Sequence, residues 1–332
     1  MSLPRISSVY PLLAIEGGCI TVEGEQLVPD SKMAPLPHVT IGNQPTRVVF
    51  AAPNAVTVIV PSGLDGGRTA VRVGDRTGET AFVDIGRPVA TGLHQVDNPV
   101  FDDRGNLYGT YSGTRGERSP VSVFRIQSNG YRQPFVTGIT NATSMAFSPD
   151  GQLHVSSRFE GCVYRVSSDG SFDVVVSDLG VACGIAFSND GTLYVGDRTG
   201  TIFRVSTSGS AAAFATLPSS IAAFHLAFGK DGNLFASGPT LSSCDCIFRI
   251  DRTGTVDSLE STFGRPQGLA FDSRGVLHVV EALAGNSGIY QIGSDGRRTR
   301  VLAGPNLIGV AFNQIGDLVV ASSETIFRFD AA

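Results

Sequence analysis

Three carboxylates and one imidazole stand at related places in this 332-residue chain: Asp97, Asp197, Glu281 and His225. Asp97 and His225 lie eight and seven residues before a turn glycine (Gly105, Gly232), and Asp197 and Glu281 lie six residues after one (Gly191, Gly275). If the carboxylates meet, they can hold a hard divalent cation such as calcium, or zinc, through oxygen ligands. An imidazole beside them suits general-base work near neutral pH. Arg158 and Arg198, one place further past their glycines, can clamp an anion or steady a developing oxyanion. That chemistry requires one element to recur and bring these positions together.

Such an element is present. NPVFDDRGNLYGTY, SMAFSPDGQLHVSS, GIAFSNDGTLYVGD, LAFGKDGNLFASG, GLAFDSRGVLHVV and GVAFNQIGDLVVAS are six versions of one β-hairpin. Their turn glycines, Gly105, Gly151, Gly191, Gly232, Gly275 and Gly316, are spaced by 46, 40, 41, 43 and 41 residues. A third apolar run follows each hairpin (CVYRVSS, TIFRVST, CIFRIDR), and a fourth comes after a further turn (DVVVSDL, AAFATL). Four strands in about 40 residues describe a propeller blade. The sixth repeat stops after its third run at Phe329, while an unclaimed fourth-strand sequence, GRPVATGL, occupies 86–93. Pairing the two closes the ring and removes its open edges. Residues 1–85 instead carry about seven short strands with turns between them, the pattern of an immunoglobulin-like sandwich. The chain is therefore expected to be all-β, with a sandwich at 1–85 and a six-bladed propeller at 86–332.

In a blade, the start of the first strand and the end of the second meet on the face opposite the hairpin turn. Counting from the turn glycine, positions −8 and +6 are expected to be cross-strand neighbours there. This frame sends Asp97, Tyr111, Arg158, Asp197, Arg198, Phe224 and Gln267 to the channel mouth as ligand contacts. His225 and Glu281 become the pair for any catalysis, and Asp97, Asp197 and Glu281 the candidate metal ligands. Structural readings compete at each place. Asp197 can accept backbone N–H bonds in a turn, and His225 can be a hydrogen-bonded core residue. Glu281 ends the apolar strand LHVV, where a carboxylate is costly unless solvated or paired. If it serves a ligand, Glu281→Gln should abolish binding and leave the melting temperature within a few degrees.

The opening PRISSVYP, GGCITVEGEQL and AVTVIVPSG resemble the IPT/TIG family, whose modules act as spacers or as protein- and glycan-binding attachments. The repeats resemble NHL-type propellers, with blade 5 (PQGLAF, then DSRGVLHV) nearest the pattern. They are also similar to the senescence-marker/gluconolactonase family of lactone hydrolases. That second resemblance implies a divalent cation held at the −8 positions. Here these are Asp97, Thr143, Cys183, Phe224, Gln267 and Ile308, of which Asp97 alone is a strong hard-cation ligand. Blade 5 also resembles the streptogramin lyase frame of His at −8 and Glu at +6. It keeps Glu281, but Gln267 stands where the histidine would be, and an amide cannot take and return a proton near pH 7.

Composition narrows the partners. A net charge of −5 supplies no basic field for nucleic acid, and no apolar run is long enough to cross a bilayer. The first residues lack the charged and apolar regions of a signal peptide, while secretion or periplasmic residence after removal of a leader stays open. Cys19, Cys162, Cys183, Cys244 and Cys246 match neither a disulfide framework nor a zinc motif. The leading expectation is a propeller that binds a small polar molecule or a peptide loop at its mouth. The competing one is a metal-dependent lactone hydrolase or a ring-opening lyase.

Overall fold

The computed structural model describes residues 4–28, 35–74, 80–127 and 129–331. Six four-stranded units follow one another from Val100 onward. Blade 2 is representative: Ala142–Phe147, Leu153–Ser157, Cys162–Val166 and Phe172–Val176 pair antiparallel in sequence order. Each hairpin turn needs a left-handed residue, which glycine supplies without strain; Gly151 and Gly191 sit at φ 80 and 84. The turn aspartates fix the same bend from the side chain, as when Asp272 Oδ1 accepts Arg274 N at 3.0 Å and Val276 N at 2.8 Å.

Alternating burial along the strands fills the gaps between blades with apolar side chains. Val163, Ile185, Leu193 and Val195 pack between blades 2 and 3, and Phe235, Leu269, Leu277 and Val279 between blades 4 and 5. The sixth blade comes from both ends of the propeller. Arg87–Ala90 pairs antiparallel with Ile326–Phe329, outside Leu318–Ser322 and Leu307–Phe312. Ala90, Val319 and Ile326 then pack with Leu107 and Ile126 of blade 1, which closes the circle.

A polar staple reinforces that closure. Asn98, just before the first strand of blade 1, donates from Nδ2 to Leu269 O of blade 5 at 3.0 Å. Its Oδ1 accepts from Val310 N of blade 6 at 2.9 Å. Gly268 and Gly309 admit it; a Cβ on Gly268 would stand 2.1 Å from Asn98 Oδ1. Asn98→Ala leaves one carbonyl and one N–H without a partner, so it is expected to cost about 2 kcal/mol, measured as a lower midpoint in denaturant unfolding.

The N-terminal strands form a sandwich. One sheet has the order Arg5–Tyr10, Cys19–Glu25, Ala55–Ile59, Arg47–Ala52. The other contains Ala81–Ile85, Gly67–Val73, Val39–Ile41 and Gln44–Pro45. Ile20, Val22, Val56, Val58, Val71 and Val83 fill the space between them.

This module is welded to the ring. The two-residue strand Leu13–Ala14 runs parallel to Ala81–Ile85 on one side and to Arg298–Ala303, the outer strand of blade 5, on the other. Blade 5 and half of the sandwich thus form a single nine-stranded sheet. Ile15 continues the junction, donating its N–H to Ala303 O at 2.9 Å and packing with Val280, Leu302 and Phe329. Close approach is possible because residue 18 is glycine; a Cβ there would meet Ala303 O at 2.5 Å.

Candidate functional site

The first strands of blades 2, 3, 5 and 6 each carry one extra residue near their start. In blade 3, Ile185 pairs with Val195, but the next pair is Ala182 with Asp197, where unbroken alternation would give Cys183. In blade 5 the partner of Glu281 is Pro266, not Gln267. A β-bulge turns its extra residue out of the ladder. The expected −8/+6 pairing is therefore a −9/+6 pairing in these blades. The two positions consequently serve different places in the structure.

Position +6 serves the loops. Glu281 is 1 % exposed, and its carboxylate accepts three backbone N–H bonds: Gly264 at 2.6 Å, Arg265 at 2.8 Å and Leu283 at 2.9 Å. Arg298 approaches it to 3.8 Å from the outer strand. Asp197 behaves alike, accepting from Val181 N at 2.8 Å, Thr199 N at 3.3 Å and the Thr199 hydroxyl. Ser157 does a smaller version, donating to Thr140 O at 2.6 Å and accepting from Glu160 N at 3.1 Å. These side chains hold the loop that enters a blade against the loop that leaves its second strand.

Position −8 serves the channel. Asp97, Thr143, Cys183 and Phe224 are buried there. Thr143 donates to Asn141 O at 2.8 Å. Burial pushes the Cys183 thiol up to about 12, with the Asp97 and Asp197 carboxylates adding to the effect, so the sulfur is protonated and unreactive. Phe224 faces the core between blades 3 and 4, beside Leu226 and under Gly196 and Gly238, and forms no wall of the mouth.

Across this level runs one bond. His225 of blade 4 meets Asp97, next to blade 1, with Nδ1 2.5 Å from Asp97 Oδ1. Blades 4 and 1 lie three apart in a six-membered ring, so the bond spans the channel. His225 is 0 % and Asp97 4 % exposed. Asp97 Oδ1 also accepts Asn98 N at 2.7 Å. The carboxylate fixes Nδ1 as the donor nitrogen, and Nε2 is buried without a protein partner.

The structure thus joins Asp97 to His225 and keeps Asp197 and Glu281 apart from them, each occupied in its own blade. Among the described residues no group of three or more His, Cys, Asp or Glu side chains is placed to hold a metal ion. The donor set for a divalent cation does not fit, whether drawn from the −8 ring or from the three carboxylates.

On the outer side of the His225–Asp97 tie, the mouth retains free polar groups. The Gln267 amide, 8 % exposed, has no hydrogen-bond partner among the described residues. Tyr111 is half-buried, its ring edge-on to His94 at 6.0 Å. Arg158 is half-buried and forms no ion pair among the described residues, while Arg198 is exposed. The expectations above did not include His94, Arg115 or Asn141. Their signal was the 46-residue first period, the longest of the five, which places an extra loop between Thr110 and Val123.

Two hollows are lined by none of these residues. A groove of about 960 Å³ opens on the hairpin side of blades 2–4, lined by Asp190, Tyr194, Arg204 and Arg252 among others. A cleft of about 740 Å³ lies at the junction, between Asp65, Asp84 and Arg87 on one side and Asp272, His278 and Phe312 on the other.

Fold and sequence now define the class. The N-terminal module is an IPT/TIG domain, whose family matches residues 4–83, and it is followed by a β-propeller of six four-stranded blades; its structural neighbours, gluconolactonases and streptogramin B lyases among them, are also β-propellers. A gluconolactonase from Xanthomonas campestris superposes with a TM-score of 0.62 at 15% identity, covering 89% of this chain and 98% of its own. An auxiliary nutrient binding protein from Bacteroides ovatus matches at 0.57 and 14% identity, over 99% of this chain and 98% of its own. Virginiamycin B lyase from Staphylococcus aureus, solved with quinupristin, matches at 0.54 and 14%, over 88% and 94%. At these identities the likeness is one of fold. A search of curated proteins finds no sequence match. Among the described residues no helix is long and apolar enough to cross a membrane.

Proposed function

We propose that the protein is a binding propeller that takes a small polar molecule, or the tip of a peptide loop, at the channel mouth. One observation carries this reading: among the described residues the Gln267 amide, the Tyr111 hydroxyl and the Arg158 guanidinium have no hydrogen-bond partner, while Glu281 and Asp197 are bound into loops and Asp97 is tied to His225. A concave site with a few convergent polar groups is a usual ligand site. The full-length likeness to a nutrient binding protein supports the same direction. Turnover of a lactone or a cyclic peptide, suggested by the fold of the other two relatives, is the competing outcome.

The test is a small-molecule screen by thermal shift. Compounds that stabilise the protein are expected to lose at least tenfold in affinity with Gln267→Leu and severalfold with Tyr111→Phe. Ligands recovered from the mixture should be chemically unchanged, with or without added Ca²⁺ or Zn²⁺. Stabilisation indifferent to both substitutions, or conversion of the bound compound, would overturn the reading.

A further inference from the structure

The loop after the second strand of blade 1 is longer than its counterparts and is held in a defined shape. Asn141 lies under it, fully buried and at φ 50, a left-handed conformation that asparagine tolerates. Its Nδ2 donates to Ser112 O at 2.5 Å and Thr114 O at 2.8 Å, and its Oδ1 accepts Gly116 N at 2.7 Å. Gly116 rests on the ring of Phe159, close enough that a Cβ there would stand 3.0 Å from it. Arg115 lies between these two anchored points. This sets Arg115 next in the chain to Gly116, which packs on Phe159, the chain neighbour of Arg158.

Arg158 itself leaves the second strand of blade 2 at the same place where Arg198 leaves that of blade 3. Their backbones are fixed: Arg158 N donates to Thr143 Oγ1 at 3.3 Å, and Arg198 N to Val181 O at 3.1 Å. Three guanidinium groups from adjacent blades therefore gather on one sector of the mouth. They repel one another there. Burial, followed by Arg115 and Arg198, pushes the Arg158 guanidinium below its ordinary value. His94 is pushed down by burial and by Arg158, with Glu324 opposing. None of the three arginines forms an ion pair among the described residues, although the protein as a whole is acidic, at −5. Some arginines elsewhere on this protein are paired: Arg328 with Asp317 and Asp330, Arg87 with Asp330, Arg274 with Asp272.

We infer that Arg115, Arg158 and Arg198 form an anion subsite on the blade 1–3 sector of the mouth, built to receive the carboxylate or phosphate of a small ligand. Guanidinium forks match both anions with paired N–H donors, and the half-burial of Arg158 keeps its interaction from being fully screened. The local charge is confined to one sector of an acidic molecule, so the partner is a small anion and not a polyanion. The inference rests on the mouth being a ligand site and specifies which ligands it takes.

Citrate and inorganic phosphate are the probes, titrated by calorimetry at constant ionic strength with glucose as the neutral control. Saturable binding of at least one anion is expected, weakened tenfold or more by Arg158→Gln and about threefold by Arg158→Lys. Arg198→Gln, at an exposed position that does not bear on folding, should weaken it severalfold, and Arg297→Gln on the outer rim should change nothing. Preference between the two probes identifies carboxylate or phosphate as the natural group. Equal binding by wild type, Arg158→Gln and Arg198→Gln, or an equal loss with Arg297→Gln, would overturn the subsite. If neither anion binds but a neutral compound does, in a manner sensitive to Gln267→Leu, the subsite falls and the binding mouth stands. If nothing binds at the mouth, both fall.

Discussion

Replacing Glu281 by alanine is expected to lower the melting temperature by roughly 4–5 °C, corresponding to about 3 kcal/mol in a protein of this size. The carboxylate accepts Gly264 N, Arg265 N and Leu283 N, all within 2.9 Å, and is itself 1 % exposed. Truncation leaves three donors without a partner in a place where water enters poorly. Glu281→Gln is a sharper test. Its single carbonyl can serve one or two of the three donors, while its NH₂ confronts the remaining one, so a loss of about 1–2 kcal/mol is expected. A carboxylate reserved for a ligand would give the opposite result: an unchanged or higher melting temperature on neutralisation. Calorimetric melting of the two variants beside wild type decides between them. Asp197→Ala should follow Glu281→Ala, because Asp197 does the same work in blade 3.

The same two residues show how far the sequence could be read. The repeat of apolar runs and turn glycines makes the blades visible, because strand period and turn chemistry are local properties. The number of residues between Gly275 and Glu281 is equally visible. The bulge at Pro266–Leu269 is not. No local sequence signal marks the residue that leaves the ladder, and Gly268 packs there against Asn98 from a blade far away in sequence. One extra residue there separates Gln267 from Glu281, leaving the first at the mouth and the second in a loop. Residue types were legible, whereas their facing was not.

The junction was hidden for a similar reason. Leu13–Ala14 is two residues long, too short to show a strand period, and its partners lie about 70 and 290 residues away. Its effect on the molecule is large. A spacer module would leave the propeller free to swing. Here a continuous sheet runs from the channel strand of blade 5 to the far edge of the sandwich. The mouth therefore keeps a fixed orientation relative to whatever the IPT/TIG face contacts.

Below the mouth, the bond between His225 and Asp97 acts as a brace across the ring, and removing one partner is expected to cost more than removing both. Asp97→Ala strands His225 Nδ1 in a fully buried channel where Nε2 already lacks a protein partner. The ring then has two unsatisfied nitrogens, and a loss of about 3–4 kcal/mol is expected. His225→Phe fills the volume but deprives Asp97 of one of its two hydrogen bonds, leaving Asn98 N as its donor, so about 2 kcal/mol is expected. In the double variant Asp97→Ala/His225→Phe neither polar group remains. Its loss should be no larger than that of Asp97→Ala alone, about 2 kcal/mol or more below the sum of the single losses, the mark of a direct interaction. Denaturant unfolding of the four proteins measures this coupling. Additive losses would mean that the bond seen between blades 4 and 1 contributes nothing to holding the ring.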